Sequence, residues 1–401
     1  MNSHRRGRLL PQHGAALLLM LAIMVLGMAV LWISALSASA LKTAKQEITN
    51  SALAQAKEAL IAYAVSSENV NGGATPARPG NFPCPDTDAP GTAGYGDANE
   101  LCASGAIGRL PWKTLGLPEL LDEAGEPLWY AQSGNFRKTV TVINSDSKGT
   151  LQVYDRDGST LLTPAGSEAV AVVFSAGVIV GNQQRNSTAD KTSASNYLDS
   201  ANGRNNATIN GPFIAAANSD SFNDRLLVIR TRDFMPVIEK RIAQELKIIL
   251  ENYRADNGVY PYPAPFSTCK SLSTCTSNAN LCRGRLPFTA LPVDWGGSYA
   301  LPSAAGGSSW FSTNLWYRVI YYSAGSNRLA SSPPGCNAAL NISGNSTAAL
   351  FFMPGTPLGS VVRTYANNNL SWYLDDAENQ NMDDNYVTPT SNANDQLYAL
   401  P

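Results

Sequence analysis

Residues 5–42 read RRGRLLPQHGAALLLMLAIMVLGMAVLWISALSASALK. Arg5, Arg6 and Arg8 lie in an acid-free leader, residues 1–14, and between Ala15 and Leu41 no side chain is charged. An uncharged apolar run longer than about twenty residues can cross a bilayer as a helix, since only a helix satisfies its own backbone in lipid. The basic flank predicts a cytoplasmic N-terminus, with everything after Lys42 sent outward. The expectation is a single-pass inner-membrane protein with residues 15–41 as the transmembrane helix, in contact with inner-membrane lipid, and an ectodomain in the periplasm or outside the cell.

The helix should not stop at the membrane. Residues 43–65 contain no Pro or Gly, and Ile48, Ala52, Ala56, Leu60 and Tyr63 form an apolar stripe at helical spacing. Together with the apolar run this predicts one rod of about fifty residues, roughly 75 Å at 1.5 Å per residue.

Composition bounds the remainder. The 401 residues leave room for two ordinary domains, and 44% hydrophobic residues predict packed cores rather than a disordered stalk. Without the three leader arginines, 26 of the 29 basic residues face 31 acids. A nucleic-acid partner, which needs a basic face, is not indicated. The two histidines, His4 and His13, both precede Ala15, so a chain that loses its leader has none. That excludes Ser-His-Asp and Cys-His catalysis and His-ligated zinc, and no pair of carboxylates stands out for glycosidase-type work. The expectation is a protein that is not an enzyme.

The apolar segment has three readings. It can be an uncleaved signal anchor. It can be a signal peptide, for which Ala38-Ser39-Ala40 supplies a small-x-small cleavage site after the apolar run. The third rests on His13-Gly14-Ala15-Ala16-Leu17-Leu18-Leu19, a short basic leader ending in Gly directly before the apolar run. This junction resembles the prepilin leader of type IV pilins and type II secretion pseudopilins. The resemblance implies cleavage by a prepilin peptidase between Gly14 and Ala15, N-methylation of Ala15, and a mature protein that keeps its helix. Most members of that family carry Glu at the fifth mature position, which is Leu19 here. A carboxylate at that depth costs roughly 2.5–3.5 kcal/mol unless it meets a cation. In the family that cation is taken to be a neighbouring subunit's terminal amine. A subunit at the filament tip lacks that neighbour, so the missing acid suits a minor, tip-located subunit.

Beyond the helix, one order of marks occurs twice. The first series runs from Arg78-Pro79-Gly80-Asn81-Phe82-Pro83-Cys84-Pro85 through Cys102 to Gly108-Arg109-Leu110-Pro111-Trp112. It continues with Leu128-Trp129-Tyr130 and Val172-Val173-Phe174-Ser175-Ala176-Gly177. The second opens with an amphipathic helix over residues 235–253, buried through Ile238, Ile242, Leu246, Ile249, Leu250 and Tyr253. Asp256-Asn257-Gly258-Val259-Tyr260-Pro261, Cys282, Gly284-Arg285-Leu286-Pro287-Phe288, Leu315-Trp316-Tyr317 and Ile320-Tyr321-Tyr322-Ser323-Ala324-Gly325 follow. Four ordered matches behind a helix each time predict a tandem duplication. The segment from Leu250 to Pro261 also resembles the helix-to-loop turn of the major pseudopilin, where Asn257-Gly258 permits a left-handed stop and Pro261 blocks resumption.

The resulting layout is a leader at 1–14, a transmembrane helix at 15–41, a first pilin-like module at 42–232 and a second at 233–401. Residues 181–224, rich in Asn, Ser, Thr, Ala and Gly, read as a polar linker or solvated loop. Strands are predicted at 139–143, 151–154 and 226–229 in the first module, and at 316–322, 348–352, 360–365 and 370–374 in the second. The fold class is α+β, a long N-terminal helix on antiparallel sheet with the pilin-like module duplicated.

Six exported cysteines, Cys84, Cys102, Cys269, Cys275, Cys282 and Cys336, read as disulfides. Cys84–Cys102 is the best single bridge, since both fall in one loop whose closure is worth about 3 kcal/mol. Cys282, matched to Cys102, is expected to pair with Cys269 or Cys275, and the remaining cysteine with Cys336. The densest acidic patch, Asp375, Asp376, Glu378, Asp383 and Asp384, offers the oxygens that Ca²⁺ wants, as an alternative to a solvated acidic loop; some pseudopilins hold calcium in such a loop. Asp86, Asp88, Asp97 and Glu100 form a second candidate. Trp112, Trp129, Trp295, Trp310 and Trp316 could stack on carbohydrate, but the repeat positions assigned to Trp129 and Trp316 favour core packing. The function these features imply is a minor pilin or pseudopilin subunit that assembles into, primes or caps a filament, its partners being the prepilin peptidase and other pilin subunits. The rival is a binding module released after Ala40.

Overall fold

With no proline between residues 13 and 66, the chain forms one helix, α1 (His13–Ser66), of 54 residues. The computed structural model describes residues 13–67, 78–138, 142–287, 310–358, 361–363, 369–390 and 393–401; within α1 it describes the side chains of Met24 and of Ala40 onward. Among the described residues no helix is long and apolar enough to cross a membrane, and the run at 15–41, where a span was expected, lies outside the described side chains except at Met24, Ala40 and Leu41. The chain divides into two units, Met1–Ser51 and Ala52–Pro401. The first contains the leading part of α1. The second contains everything that follows.

In that second unit the buried stripe of α1 is Ala52, Leu53, Ala56, Leu60 and Ala64. Tyr63, expected on this face, is only partly buried. The chain then lays down β1 (Ile107–Arg109), β2 (Trp129–Gln132), β3 (Val153–Asp155) and β4 (Ala169–Ser175). Next come α2 (Thr188–Thr192), β5 (Ser200–Ala201), β6 (Arg204–Asn205), β7 (Phe213–Ala215) and β8 (Arg225–Arg230). β8 runs straight into α3 (Thr231–Asn257), whose Asp233 side chain accepts from the Arg230 amide at 3.0 Å and which Gly258 ends at φ +72°. The second half adds β9 (Arg283–Arg285), α4 (Trp310–Thr313), β10 (Tyr321–Ala324), β11 (Leu340–Ile342), β12 (Asn345–Thr347) and β13 (Ala349–Met353). α5 (Ala377–Gln380), β14 (Asn385–Tyr386) and β15 (Gln396–Leu400) complete it. The architecture is mixed α/β with two main antiparallel sheets.

Those sheets are ordered β1-β2-β4-β8 and β15-β13-β10-β9, antiparallel throughout. Their registers match residue by residue. Gly108 pairs with Tyr130 and Gly284 with Tyr322; Arg109 pairs with Trp129 and Arg285 with Tyr321. The Tyr130 hydroxyl donates to the Pro83 carbonyl at 3.2 Å, and that of Tyr322 to the Pro261 carbonyl at 3.0 Å. Asp86 bridges to Arg109 as Ala264 bridges to Arg285. Thus Phe82-Pro83-Cys84-Pro85-Asp86 occupies the place that Tyr260-Pro261-Tyr262-Pro263-Ala264 occupies in the second sheet.

This register corrects part of the sequence alignment. β2, which carries Trp129-Tyr130, corresponds to β10, not to Leu315-Trp316-Tyr317. Leu315 is left-handed at φ +58° and opens a 3-10 turn at Trp316–Arg318, so the strand expected over 316–322 starts only at Tyr321. Trp129 and Trp316 are both buried but are not equivalent. Leu370–Trp372 is likewise a 3-10 turn where a strand was expected. Residues 139–141, 360 and 364–365 of two further expected strands lie outside the described residues.

The expected linker at 181–224 is folded. Tyr197, Leu198 and Phe213 from it join Trp129, Val172 and Phe174 in a buried cluster on one face of the first sheet. Its polar residues bond to one another. Asp224 Oδ2 accepts from the Asp199 amide at 2.8 Å and from Asn206 Nδ2 at 2.9 Å, and Asp199 Oδ1 accepts from Gln183 Nε2 at 2.7 Å. A polar composition reads as a loop because sequence alone cannot show that its amides and carboxylates satisfy one another. The larger core takes in the buried stripes of α1 and α3 and residues of both sheets, so the two modules share a single interior.

Candidate functional site

Two features carry functional weight: the start of α1 and the junction where the modules meet. At the first, Gly14 and Ala15 lie one and two residues inside a helix that begins at His13. Their side-chain surroundings lie outside the described residues, as does the leader at 1–12.

The junction is built around α3. Phe234 fits between two rings of the first module, 5.2 Å from Phe82 and 5.3 Å from Phe136, both edge-on. Further along that helix Glu239 is fully buried, and its Oε1 accepts from the Ser145 hydroxyl. Ser145 belongs to the turn at 143–147. Asn314, from the second module, holds the start of that turn: its Oδ1 accepts from the Ile143 amide at 2.7 Å and from Arg78 Nη1 at 3.0 Å, and its carbonyl accepts from Asn144 Nδ2 at 2.9 Å. Asp146, in the same turn, pairs with Arg363 at 3.1 Å.

Arg363 is almost wholly committed to that place. It also donates to the carbonyls of Trp372, Gly355 at 2.7 Å and Pro354 at 3.0 Å. Tyr373 lies between two guanidinium groups, Arg285 at 4.5 Å and Arg363 at 5.0 Å from its ring centre. Burial pushes the Asp146 carboxyl up, while Arg363 pulls it back. Burial likewise pushes the Arg285 guanidinium down, opposed chiefly by Tyr373. Arg285 and its counterpart Arg109 share a pattern: each is buried, each stacks on two aromatic rings, and Nε and Nη2 of each lack a hydrogen-bond partner. The rings supply the compensation, as a desolvated cation over an aromatic face gains about 2 kcal/mol. Gly-Arg-Leu-Pro in the sequence marks both positions. The Glu239–Ser145 and Asp146–Arg363 contacts had no local signal, because they join residues far apart in the chain.

All six cysteines are paired: Cys84 with Cys102, Cys269 with Cys275 and Cys282 with Cys336. The first bridge agrees with expectation and the other two correct it. Cys282 directly precedes β9, where its carbonyl accepts from the Ala324 amide at 2.8 Å at the end of β10. It therefore reaches the turn after β10 that holds Cys336, with the Cα atoms 6.1 Å apart. Cys269 and Cys275 flank one tight turn of their own.

The acidic loop is divided among separate tasks. Asp376 caps α5 by accepting from the Glu378 amide at 2.9 Å, and Asp375 accepts from the Asn394 amide at 2.8 Å. Glu378 accepts from Asn381 Nδ2 at 3.1 Å and Asp383 from the Asn385 amide at 2.9 Å. Asp384 is buried against Arg283 at 2.9 Å. Asp86, of the second acidic group, is buried and pairs with Arg109 at 3.6 Å, while Asp97 lies 4.0 Å from Lys113. Among the described residues no three or more His, Cys, Asp or Glu come together in a way that could hold a metal ion. Asp395, which the sequence did not single out, is buried; its burial, with Asp375 and Asp376 beside it, pushes its carboxyl up to about 6. Of the tryptophans, Trp129, Trp310 and Trp316 are buried and Trp112 partly so; Trp295 lies outside the described residues.

Comparison with protein-family models, with curated proteins and with solved structures finds no match for this chain.

Proposed function

We propose that this chain is a minor pilin- or pseudopilin-like subunit that assembles into, primes or caps a filament of a type II secretion or type IV pilus system. The observation that carries this reading is α1, one helix of 54 residues that begins at His13, beside the Gly14–Ala15 junction. A leader cut there by a prepilin peptidase leaves Ala15 as the N-methylated first residue of a helix that already contains the whole apolar run. That run sits in the inner membrane before assembly and packs on the helices of other subunits afterwards. The ectodomain, two modules of matching sheet register, faces the periplasm or the exterior. The work is assembly rather than chemistry. Leu19 in place of an acid suits a subunit with no neighbour ahead of it.

The reading is tested with Gly14→Val in the native host. The variant should keep its leader and disappear from the sheared filament fraction while its total amount in the membrane is unchanged. Equal distribution of the wild-type chain and the variant between filament and membrane would overturn it.

A further inference from the structure

The contact between the modules contains a titratable group that filament assembly does not call on. Glu239 of α3 is 0 % exposed. One carboxyl oxygen accepts from Ser145 and the other, Oε2, has no hydrogen-bond partner. The groups that face it are Ser145 and Asp146 from the turn of the first module, Arg363 and the Gly355 amide from the second, and the Tyr398 ring of β15. The cation among them is already bound to Asp146 and to three backbone carbonyls. A carboxylate at this position is shut off from bulk solvent, its nearest cation is already paired with Asp146, and Asp146 is itself a like-charged neighbour.

We infer that the module junction is a proton-dependent latch, fastened while Glu239 is neutral and loosened when it ionises. The neutral acid fits the site, because it accepts from Ser145 and exposes no buried charge. The ionised form must draw in water or pull Arg363 from Asp146, and either movement releases the turn at 143–147 from α3. Burial pushes the Glu239 carboxyl up to about 8, with Asp146 adding to the rise and Ser145, Arg363 and Gly355 opposing it.

The sign follows from linkage. The folded chain keeps a proton that the unfolded chain has lost above about pH 4.3. Stability from this group is therefore fully present below that pH and falls as pH rises toward about 8. Above that point the folded junction itself carries the charge. The latch is closed in acid and neutral surroundings and loosened in alkaline ones.

The test is hydrogen exchange on the full-length protein at pH 6.5 and 9.5, corrected for intrinsic exchange, in wild type and Glu239→Gln. Amides at 143–147 in the wild type should lose protection about tenfold between the two conditions, while the uncharged, equally sized Gln holds it within about twofold. An equal loss in both proteins, or none in the wild type, overturns the proposal. Should Glu239→Gln not fold, Ser145→Ala serves instead. That variant should show at pH 6.5 the weakened protection that the wild type reaches at pH 9.5, and wild-type protection there would overturn the latch.

Discussion

Gly108 and Gly284 hold the same place in the two sheets, and each is pressed against the backbone of a Pro-x-Pro segment. A Cβ on Gly108 would stand 2.4 Å from the Asp86 carbonyl oxygen, and one on Gly284 would stand 2.2 Å from that of Ala264. Neither obstacle is a side chain that can swing aside. Gly108→Ala and Gly284→Ala should each destabilise the fold by about 1–3 kcal/mol in denaturant titration, the range for forced overpacking. Unchanged midpoints would show that the strands can separate freely. Asp395 supplies a second residue-scale prediction. Its carboxyl is raised to about 6 in the fold against about 3.9 in an unfolded chain, so stability attributable to it is present below pH 4 and falls as pH climbs to 6. Asp395→Asn should flatten that part of the pH–stability curve; a slope identical to wild type would assign it to other groups.

At the scale of elements, what the sequence showed depended on how local the cause was. The stripe of α3 and its Gly258 stop were legible because helical spacing and a left-handed cap are properties of neighbouring residues. β15 was not, since Gln396–Leu400 is a strand only by virtue of pairing with β13. The Asn202-Gly203 turn joining β5 to β6 was legible in principle, as Asn-Gly is a strong hairpin signal, but the polar composition around it hid the hairpin. Leu-Trp-Tyr misled for the opposite reason: the same letters lead into a strand at 129–132 and a 3-10 turn at 316–318, and tertiary context decides between them. The disulfides rank by the chain they enclose. Cys282–Cys336 spans 54 residues and Cys269–Cys275 only 6. Replacing the first pair by Ser should cost about 4 kcal/mol and the second about 2 kcal/mol on loop-closure grounds. Calorimetry that found the smaller loop more costly would place the stabilisation in native packing instead.

For the whole molecule, where four ordered marks predict a duplication the fold has two antiparallel sheets of matching order and register, and one of those marks aligned the wrong strands. The shared interior was beyond the sequence. Nothing local announces that Phe234 will enter the first module, or that residues 181–224 will cover a sheet instead of linking two domains. The candidate site divides in the same way: the Gly14–Ala15 junction rests on the sequence motif alone, whereas the buried carboxylates at the module junction emerged only from folding. The central claim is that the mature protein keeps α1 as an assembly helix after a cut at that junction. The most direct measurement is the mass of the mature N-terminus in cells with and without the prepilin peptidase. A chain starting at methylated Ala15, and retaining its leader when the peptidase is absent, is the expected result. A start at Leu41 in both strains, or an intact Met1 in both, would contradict it.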